Sequence, residues 1–301
     1  MPIIQPKVFI VLINWNGFSD TVECISSINK IFYSNYEIII VDNGSENDFE
    51  KLENIYGNEI ILIRSDVNLG FAGGNNLGIK YALKKNADFV LLLNNDTIVE
   101  PDFLDVLVKS GIEKEVGIIA PKILNYYFPK IIWSAGGKIS WLGASGYSDG
   151  EGKTTEKFIE NRYVTFVSGC CMLINKEIFS NIGFFDEDYF LYSEDTDLCK
   201  RVTDAKFKIL FIADSIVYHK INTSTKRDIS YLPIYYQTRN RLYFARKFYI
   251  KYLSIIMLYI YISMFLKSII WTIMGQKNKI KAVKTAIKDF RNNNFGMKVF
   301  I

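Results

Sequence analysis

The sequence predicts an α/β fold built on a mostly parallel sheet flanked by helices, and three observations predict it. Residues 89–93 (Phe-Val-Leu-Leu-Leu) form an unbroken apolar run, the pattern of a strand buried on both faces. Similar runs at residues 8–13, 37–41 and 60–63 alternate with helix-patterned segments, as expected of parallel strands joined by right-handed crossovers. Each of the main runs then stops at small polar residues: Asn14 and Asn16, Asp42 and Asn43, and Asn94, Asn95 and Asp96. Local turn preference accounts for any one of these endings. Their coincidence at one edge of the sheet, where open α/β sheets bind ligands, points to a site.

Composition sets the bounds. A chain of 301 residues can bury one large domain with an appendage, or two modest domains. Its 49% hydrophobic content is high for a soluble protein and is not evenly spread, while the basic residues gather near the C-terminus. The net charge of +4 carries no nucleic-acid footprint. Cys24, Cys170, Cys171 and Cys199 lack zinc-type or C-x-x-C spacing, which predicts reduced, packed thiols in a cytosolic setting. The passage from Met1-Pro2 straight into a strand predicts no secretory leader.

In chain order, Ser19 or Asp20 is expected to cap a helix through Val22, Ile25 and Ile28. The segment from Asn68 to Asn76 holds Gly70, Gly73 and Gly74, with neither dinucleotide-fingerprint nor Walker spacing. It reads either as a glycine turn before a helix through Leu77 and Tyr81, or as backbone that approaches a phosphate at that helix N-terminus. A helix after Pro101 and a strand at 117–120 complete a first half. From 121 to 163 the pattern loosens into Gly, Ser and aromatic residues, as in a mobile loop or short hairpins beside a site. Strand character returns at 164–174, and a short helix closes at Gly183. Glu194, Asp195 and Asp197 then follow Ser193, as the first turn of a capped helix or as a source of a general base; Asp197 is assigned the helical role. Strands at 207–212 and 215–218 end on His219, the sole histidine, which is structural or, like Asp96, a partner for a divalent cation.

Residues 231–251 read as a basic, aromatic helix, and 252–274 as an apolar segment long enough to span a bilayer. Lys277, Lys279, Lys281, Lys284 and Lys288 follow. Positive charge on both flanks fits helices lying in the inner membrane interface better than a simple crossing. A single span and a buried core helix are the alternatives. Every candidate site residue precedes Tyr252, so the segment beyond it is expected to hold the membrane and to be dispensable for ligand handling.

Taken in order, the segments Asn14-Trp15-Asn16-Gly17, Val41-Asp42-Asn43-Gly44-Ser45, Asn68 to Asn76, Leu92-Leu93-Asn94-Asn95-Asp96-Thr97, Ser168-Gly169, Gly183-Phe184-Phe185-Asp186, Phe190 to Cys199 and Tyr218-His219 resemble those of the family 2 glycosyltransferases. The resemblance is to their GT-A fold and to the rhamnosyltransferase-like bacterial branch. It implies an inverting transfer of a sugar from a nucleotide-sugar donor to a lipid-linked or cell-surface glycan in envelope polysaccharide biosynthesis. By the same resemblance Asp42 binds the base of the donor, and Gly73, Gly74 and Asn75 lie in the loop beside the ribose and diphosphate. Asn14, Asn16, Asn68, Asn94 and Asn95 line the same donor site. Asp96 matches the last acid of the D-x-D metal motif and His219 the histidine that joins it, with Mg²⁺ or Mn²⁺ as cofactor. Asn94 stands where many relatives have Asp. Asp195 matches the catalytic base, with Glu194 beside it as the other catalytic carboxylate. dTDP-rhamnose is the first donor expected, then UDP-galactofuranose or another UDP-hexose. A non-catalytic nucleotide-sugar-binding subunit is a rival, and so is a nucleotidyltransferase, which would carry a basic Gly-rich loop where Asn14-Trp15-Asn16-Gly17 stands. The expected division is a catalytic domain at 1–230 (nucleotide-sugar half 1–120, acceptor half 121–230) and a membrane-associated helical region at 231–301. The expected location is the cytoplasmic face of the cell membrane, peripheral or monotopic, with a single-pass arrangement as the alternative.

Overall fold

A computed structural model of the chain describes residues 5–57, 59–111, 115–220 and 231–298. The start at Met1-Pro2, the division drawn at residue 230 and the final Ile301 lie outside them. Strands β1 (Val8–Asn14), β2 (Tyr36–Asn43), β3 (Ile61–Ser65) and β4 (Phe89–Asn94) alternate with helices α1 (Phe18–Ile28), α2 (Asp48–Tyr56) and α3 (Gly70–Lys84). The chain continues through β5 (Thr97–Val99), α4 (Phe103–Ser110), β6 (Val116–Asn125), β7 (Ile132–Ser134) and the hairpin β8 (Gly137–Ser140) and β9 (Ser145–Ser148). Next come β10 (Arg162–Val164), β11 (Cys171–Asn175), α5 (Lys176–Ile182), α6 (Glu194–Asp204) and β12 (Lys208–His219). Three helices close it: α7 (Tyr231–Phe248), α8 (Leu253–Ile273) and α9 (Lys277–Arg291).

The sheet runs β10-β12-β6-β11-β4-β1-β2-β3. It is mostly parallel: β1 pairs in parallel with β2 and β4, β2 with β3, and β6 with β12, while β11 and β10 run antiparallel to their neighbours. Alternation explains the unbroken apolar runs. Val8, Ile10 and Leu12 join Ile38, Ile40, Leu91 and Leu93 in a core under α1, α2 and α4. Phe9, Val11, Ile39, Val41, Val90 and Leu92 face the opposite core, covered by α3, α5 and α6. Both faces of these strands are therefore buried, each full side chain contributing about 1.5–3 kcal/mol. A third core joins Leu242 and Phe244 of α7, Ile256, Ile260 and Met264 of α8, and Val283 and Phe290 of α9.

Several local expectations change. Helix α1 starts at Phe18 after Gly17, so Ser19 and Asp20 are in its first turn and neither caps it. The glycine segment is not a loop before α3 but its opening turns. Gly70 has φ +72°, and a Cβ there would stand 2.2 Å from the Phe190 carbonyl oxygen. A Cβ on Gly73 would meet that of Leu69 at 2.8 Å, and one on Gly74 the Asn43 side chain at 3.2 Å. These glycines are explained by close packing. Strand 164–174 is two strands, parted at 165–170, and 207–218 is one strand with an irregularity between Ile212 and Ile216. The halves expected to meet at 120/121 share β6, which runs straight across that point.

Candidate active site

Parallel register delivers the polar strand ends together. Asn14 lies opposite Asp42 across β1 and β2, and Ile13 opposite Asn94 across β1 and β4. After Asp96 the chain turns into β5, which pairs with the end of β12 and sets His219 opposite Thr97. A cavity of about 450 Å³ opens at this edge, of the size that takes a small organic ligand. Asn16, Asn68, Asn75, Asn94, Asn95 and Asp96 line it.

Other candidates stand behind that wall. Asp42 is 2% exposed; it accepts hydrogen bonds from Asn14 Nδ2 (3.0 Å) and the Ser45 amide (3.3 Å) and does not line the cavity. Asn14 Nδ2 also donates to Ser45 Oγ (3.1 Å) and Asp48 Oδ2 (3.2 Å), and its Oδ1 accepts from the Thr21 hydroxyl (2.9 Å). The pair thus ties β1, β2, α1 and α2 together beneath the rim. Neighbouring Asn43 lines the cavity instead; it donates to Gly70 O (3.0 Å) and accepts from the Leu69 amide (2.9 Å), fixing the start of α3. Asn75 donates to Phe71 O (3.0 Å), and Asn95 to the Thr21 hydroxyl (2.8 Å).

Asp96 Oδ1 is 3.2 Å from His219 Nε2. No group of three or more His, Cys, Asp or Glu among the described residues could hold a metal ion. A two-residue set nevertheless suits Mg²⁺ or Mn²⁺, which take one or two protein ligands together with phosphate oxygens. His219 packs edge-on against Trp133 (4.6 Å between centroids), and its buried Nδ1 has no hydrogen-bond partner. Next to it the Lys220 amide donates to Asp96 O (2.9 Å), while the Lys220 ammonium is paired with Asp20 (3.0 Å) and Glu23.

Asp195 reaches the cavity through Gly169, a lining residue. Its Oδ2 accepts from the Gly169 amide (3.2 Å), and its Oδ1 from the Thr196 amide (2.7 Å) and hydroxyl (3.3 Å). Burial raises its pKa, against the pull of those donors. Glu194 is more buried, and its Oε2 has no hydrogen-bond partner. Burial, with Asp195 and Asp197 adding repulsion, pushes Glu194 well above the ordinary carboxylate range. Asp197, fully buried, does more than favour the helix dipole: it meets Arg201 Nε (2.6 Å), Lys247 Nζ (2.7 Å) and the Tyr189 hydroxyl (3.2 Å). All four cysteines are buried and free, and burial pushes their thiols up, Cys24 to about 12.

Sequence reasoning missed part of the cavity wall. Asp20, Phe71, Tyr236, Met297 and Lys298 all line it. Lys298 donates its amide to the Tyr236 hydroxyl (2.9 Å) and pairs with Asp289 (2.9 Å). Residues beyond Tyr252 thus line the cavity too, where the sequence placed no candidate. Phe71 sits within a quoted motif and Asp20 in the predicted helix, but no local pattern marks Met297 or Lys298.

A profile described as Glycosyl transferase family 2 matches residues 9–183, more than half of the chain, and the chain belongs to that family. The low-salt glycan biosynthesis hexosyltransferase Agl10 of Haloferax volcanii is 27% identical over 77% of this chain and 73% of its own. The dTDP-rhamnosyl transferase RfbF of Shigella flexneri is 25% identical over 93% of both chains. Among solved structures, GalNAc-T7 with UDP, GalNAc and Mn²⁺ superposes with a TM-score of 0.62 at 19% identity, over 72% of this chain and 44% of that one. The fold is thus GT-A, and the chain spans under half the length of that structural neighbour.

Proposed function

We propose that this family 2 glycosyltransferase transfers a rhamnosyl group from dTDP-rhamnose, with inversion, to a hydroxyl of a lipid-linked or cell-surface glycan. The observation that carries the reading is Asp195, which accepts a hydrogen bond from the amide of Gly169, a residue that lines the same cavity as Asp96. Asp195 takes the proton of the acceptor hydroxyl as its oxygen bonds to the anomeric carbon. The bond to the nucleoside diphosphate breaks on the opposite face, which inverts the centre. Such a base is typically worth about two to four orders of magnitude in rate. A cation on Asp96 and His219, Mg²⁺ or Mn²⁺, would supply charge neutralisation of the departing diphosphate; a structural neighbour was solved with Mn²⁺. Asn94 leaves that position without the charge an Asp would bring.

The rhamnosyl choice is supported by the relative named a dTDP-rhamnosyl transferase, matched along 93% of both chains. UDP-galactofuranose or another UDP-hexose is the second reading, supported by the hexosyltransferase relative. We infer a position at the cytoplasmic face of the cell membrane, supported by Ile250–Ile273. Among the described residues this is the one helix long and apolar enough to cross a membrane, and its apolar side chains are largely exposed. Purified protein incubated with a panel of nucleotide sugars tests the donor. Hydrolysis of dTDP-rhamnose above the others is expected, and preference for a UDP-hexose reassigns it. Binding without turnover of any donor, with or without acceptor glycan, identifies a non-catalytic subunit.

A further inference from the structure

We propose that α8 and α9 form a hairpin that docks flat on an anionic bilayer, with the exposed apolar face of α8 at acyl-chain depth and neither helix crossing. This rests on the membrane reading above and commits it to one geometry.

Ile256, Ile260 and Met264, at every fourth position of α8, are buried in the core shared with α7 and α9. Lys267, the lone charged residue of α8, is exposed, although it falls seven residues after Ile260 and so toward the side of the helix that carries the buried line. The other face carries Ile255, Leu258, Ile262, Phe265, Leu266 and Ile269, all exposed. Exposed Tyr252 and Tyr259, with Trp141 against Tyr252 (5.7 Å), suit headgroup depth.

The chain then comes back. Gly275 turns with φ +71°, and the Gln276 amide donates to Trp271 O (2.8 Å). Lys279 stands over the Trp271 ring (6.0 Å) and Arg291 over Tyr261 (5.9 Å), a pairing that makes α9 antiparallel to α8. Beyond α9, the Gly296 amide donates to Asp188 O (2.8 Å) and Gly296 O accepts from Arg239 (2.7 Å). Both ends of the hairpin are therefore tied to the catalytic part.

That closure excludes a crossing. At about 1.5 Å per residue α8 is long enough to span, yet its antiparallel partner would enter the hydrocarbon with it. Lys277, Lys281, Lys284, Lys288 and Arg291 recur at i, i+4, i+7, i+11 and i+14 on α9, all exposed and opposite buried Ala282, Val283, Ala286 and Phe290. Five cations on one stripe do not enter hydrocarbon without partners. Against a negative headgroup layer the same stripe is attractive. This charge complementarity selects anionic lipid over a second copy of the chain, which would bring a matching positive stripe.

The test uses full-length protein sedimented with vesicles of phosphatidylglycerol and phosphatidylcholine, or of phosphatidylcholine alone. Binding at least about tenfold tighter to the anionic vesicles is expected. Leu258→Glu, Ile262→Glu and Leu266→Glu together should abolish it while donor hydrolysis is unchanged. Replacing Lys277, Lys281, Lys284 and Lys288 with Gln should remove the anionic preference. The native thiols are buried, so labels at Ile262→Cys and Ile273→Cys report depth, and lipid-borne quenchers should place both equally shallow. A label at 262 quenched best at the bilayer centre overturns the flat geometry and leaves the membrane reading standing. Absence of binding to either vesicle overturns both. A dimer dissociated by the Glu substitutions, without lipid binding, makes a second copy the occupant and overturns the proposal. Donor hydrolysis, measured apart, carries the transferase reading.

Discussion

Asp195 and Glu194 adjoin at the start of one helix, yet their surroundings divide the work between them. Three donors point at Asp195, whereas Glu194 Oε2 has none and sits beside two other carboxylates. Burial therefore disfavours the charge on Glu194 more than on Asp195, which supports Asp195 as the proposed base. Asp195→Asn should lower turnover by about 10²–10⁴ with nucleotide binding intact by calorimetry, and wild-type-like turnover would sink the assignment. Because burial raises Asp195, the acid limb of its pH–rate profile should lie above the ordinary carboxylate range. Glu194→Gln should keep most activity and change stability instead. A carboxyl whose folded pKa lies above its unfolded value stabilises the fold while protonated, and loses that contribution as pH rises through the folded value. The variant should therefore melt higher than wild type at neutral and alkaline pH and not in acid; identical melting profiles across pH would refute the neutral Glu194. The cation site is tested by Asp96→Ala. Calorimetry should show weaker nucleoside-diphosphate binding only when Mg²⁺ or Mn²⁺ is present, with His219→Ala milder, and full activity in excess chelator would show that no metal acts.

At the scale of elements, α7 governs the approach to the helix that carries Asp195. Phe190, Tyr192 and Ser193 all have positive φ, a conformation that non-glycine residues hold only when their surroundings impose it. Asn240 imposes it: its Nδ2 donates to Tyr189 O (2.9 Å), Leu191 O (2.9 Å) and Tyr192 O (2.7 Å). Arg239, 1% exposed, adds Asp188 O (3.1 Å) and Tyr189 O (3.0 Å), and Lys247 bridges Asp186 (2.6 Å) and Asp197 (2.7 Å). Asn240→Ala takes a donor from Leu191 O and Tyr192 O, while Tyr189 O keeps Arg239 and the Leu191 amide, and should cost about 1–3 kcal/mol of stability. Since the loop leads directly into Asp195, turnover should fall while the KM for donor stays near wild type; an unchanged turnover number would detach α7 from the site. None of this was legible locally. Arg239 and Asn240 looked like part of a basic aromatic helix, because their partners are carbonyls about fifty residues earlier, and a carbonyl has no signature in sequence. The positions of Asp96 just past a strand and Asp195 at a helix start were legible because strand ends and helix starts are local events. Asp42 was found at its strand end, but its withdrawal into a network with Asn14 depended on Ser45 and the register of β1 and β2.

For the whole molecule, the parallel sheet and the edge that holds the site could be read from apolar runs and their polar endings, since each strand declares its own end. The closure of the cavity could not, because it joins residues more than two hundred positions apart. Met297 and Lys298 share a wall with Asn16 and Asp96, and Lys298 is held there by Tyr236 and Asp289. Asp289 is buried, accepts from the Tyr235 hydroxyl (2.8 Å), and stays ionised because Lys298 and Tyr235 outweigh the opposing effect of burial. The segment from α8 onward thus carries both the proposed membrane contact and part of the cavity wall, and deletion separates them poorly. Removing residues 252–301 strips Ile256, Ile260, Val283 and Phe290 from the core around Leu242 and Phe244, and takes Gly296 from Arg239. Losing several fully buried side chains, at roughly 2–5 kcal/mol each, approaches the whole stability of a domain. The truncated chain should therefore aggregate or lose donor hydrolysis, whereas the three Glu substitutions on the outer face of α8 should give a soluble, active enzyme. A well-folded truncated chain with full donor hydrolysis would show that the cavity closes without its C-terminal wall, and that α7 stands without α8 and α9.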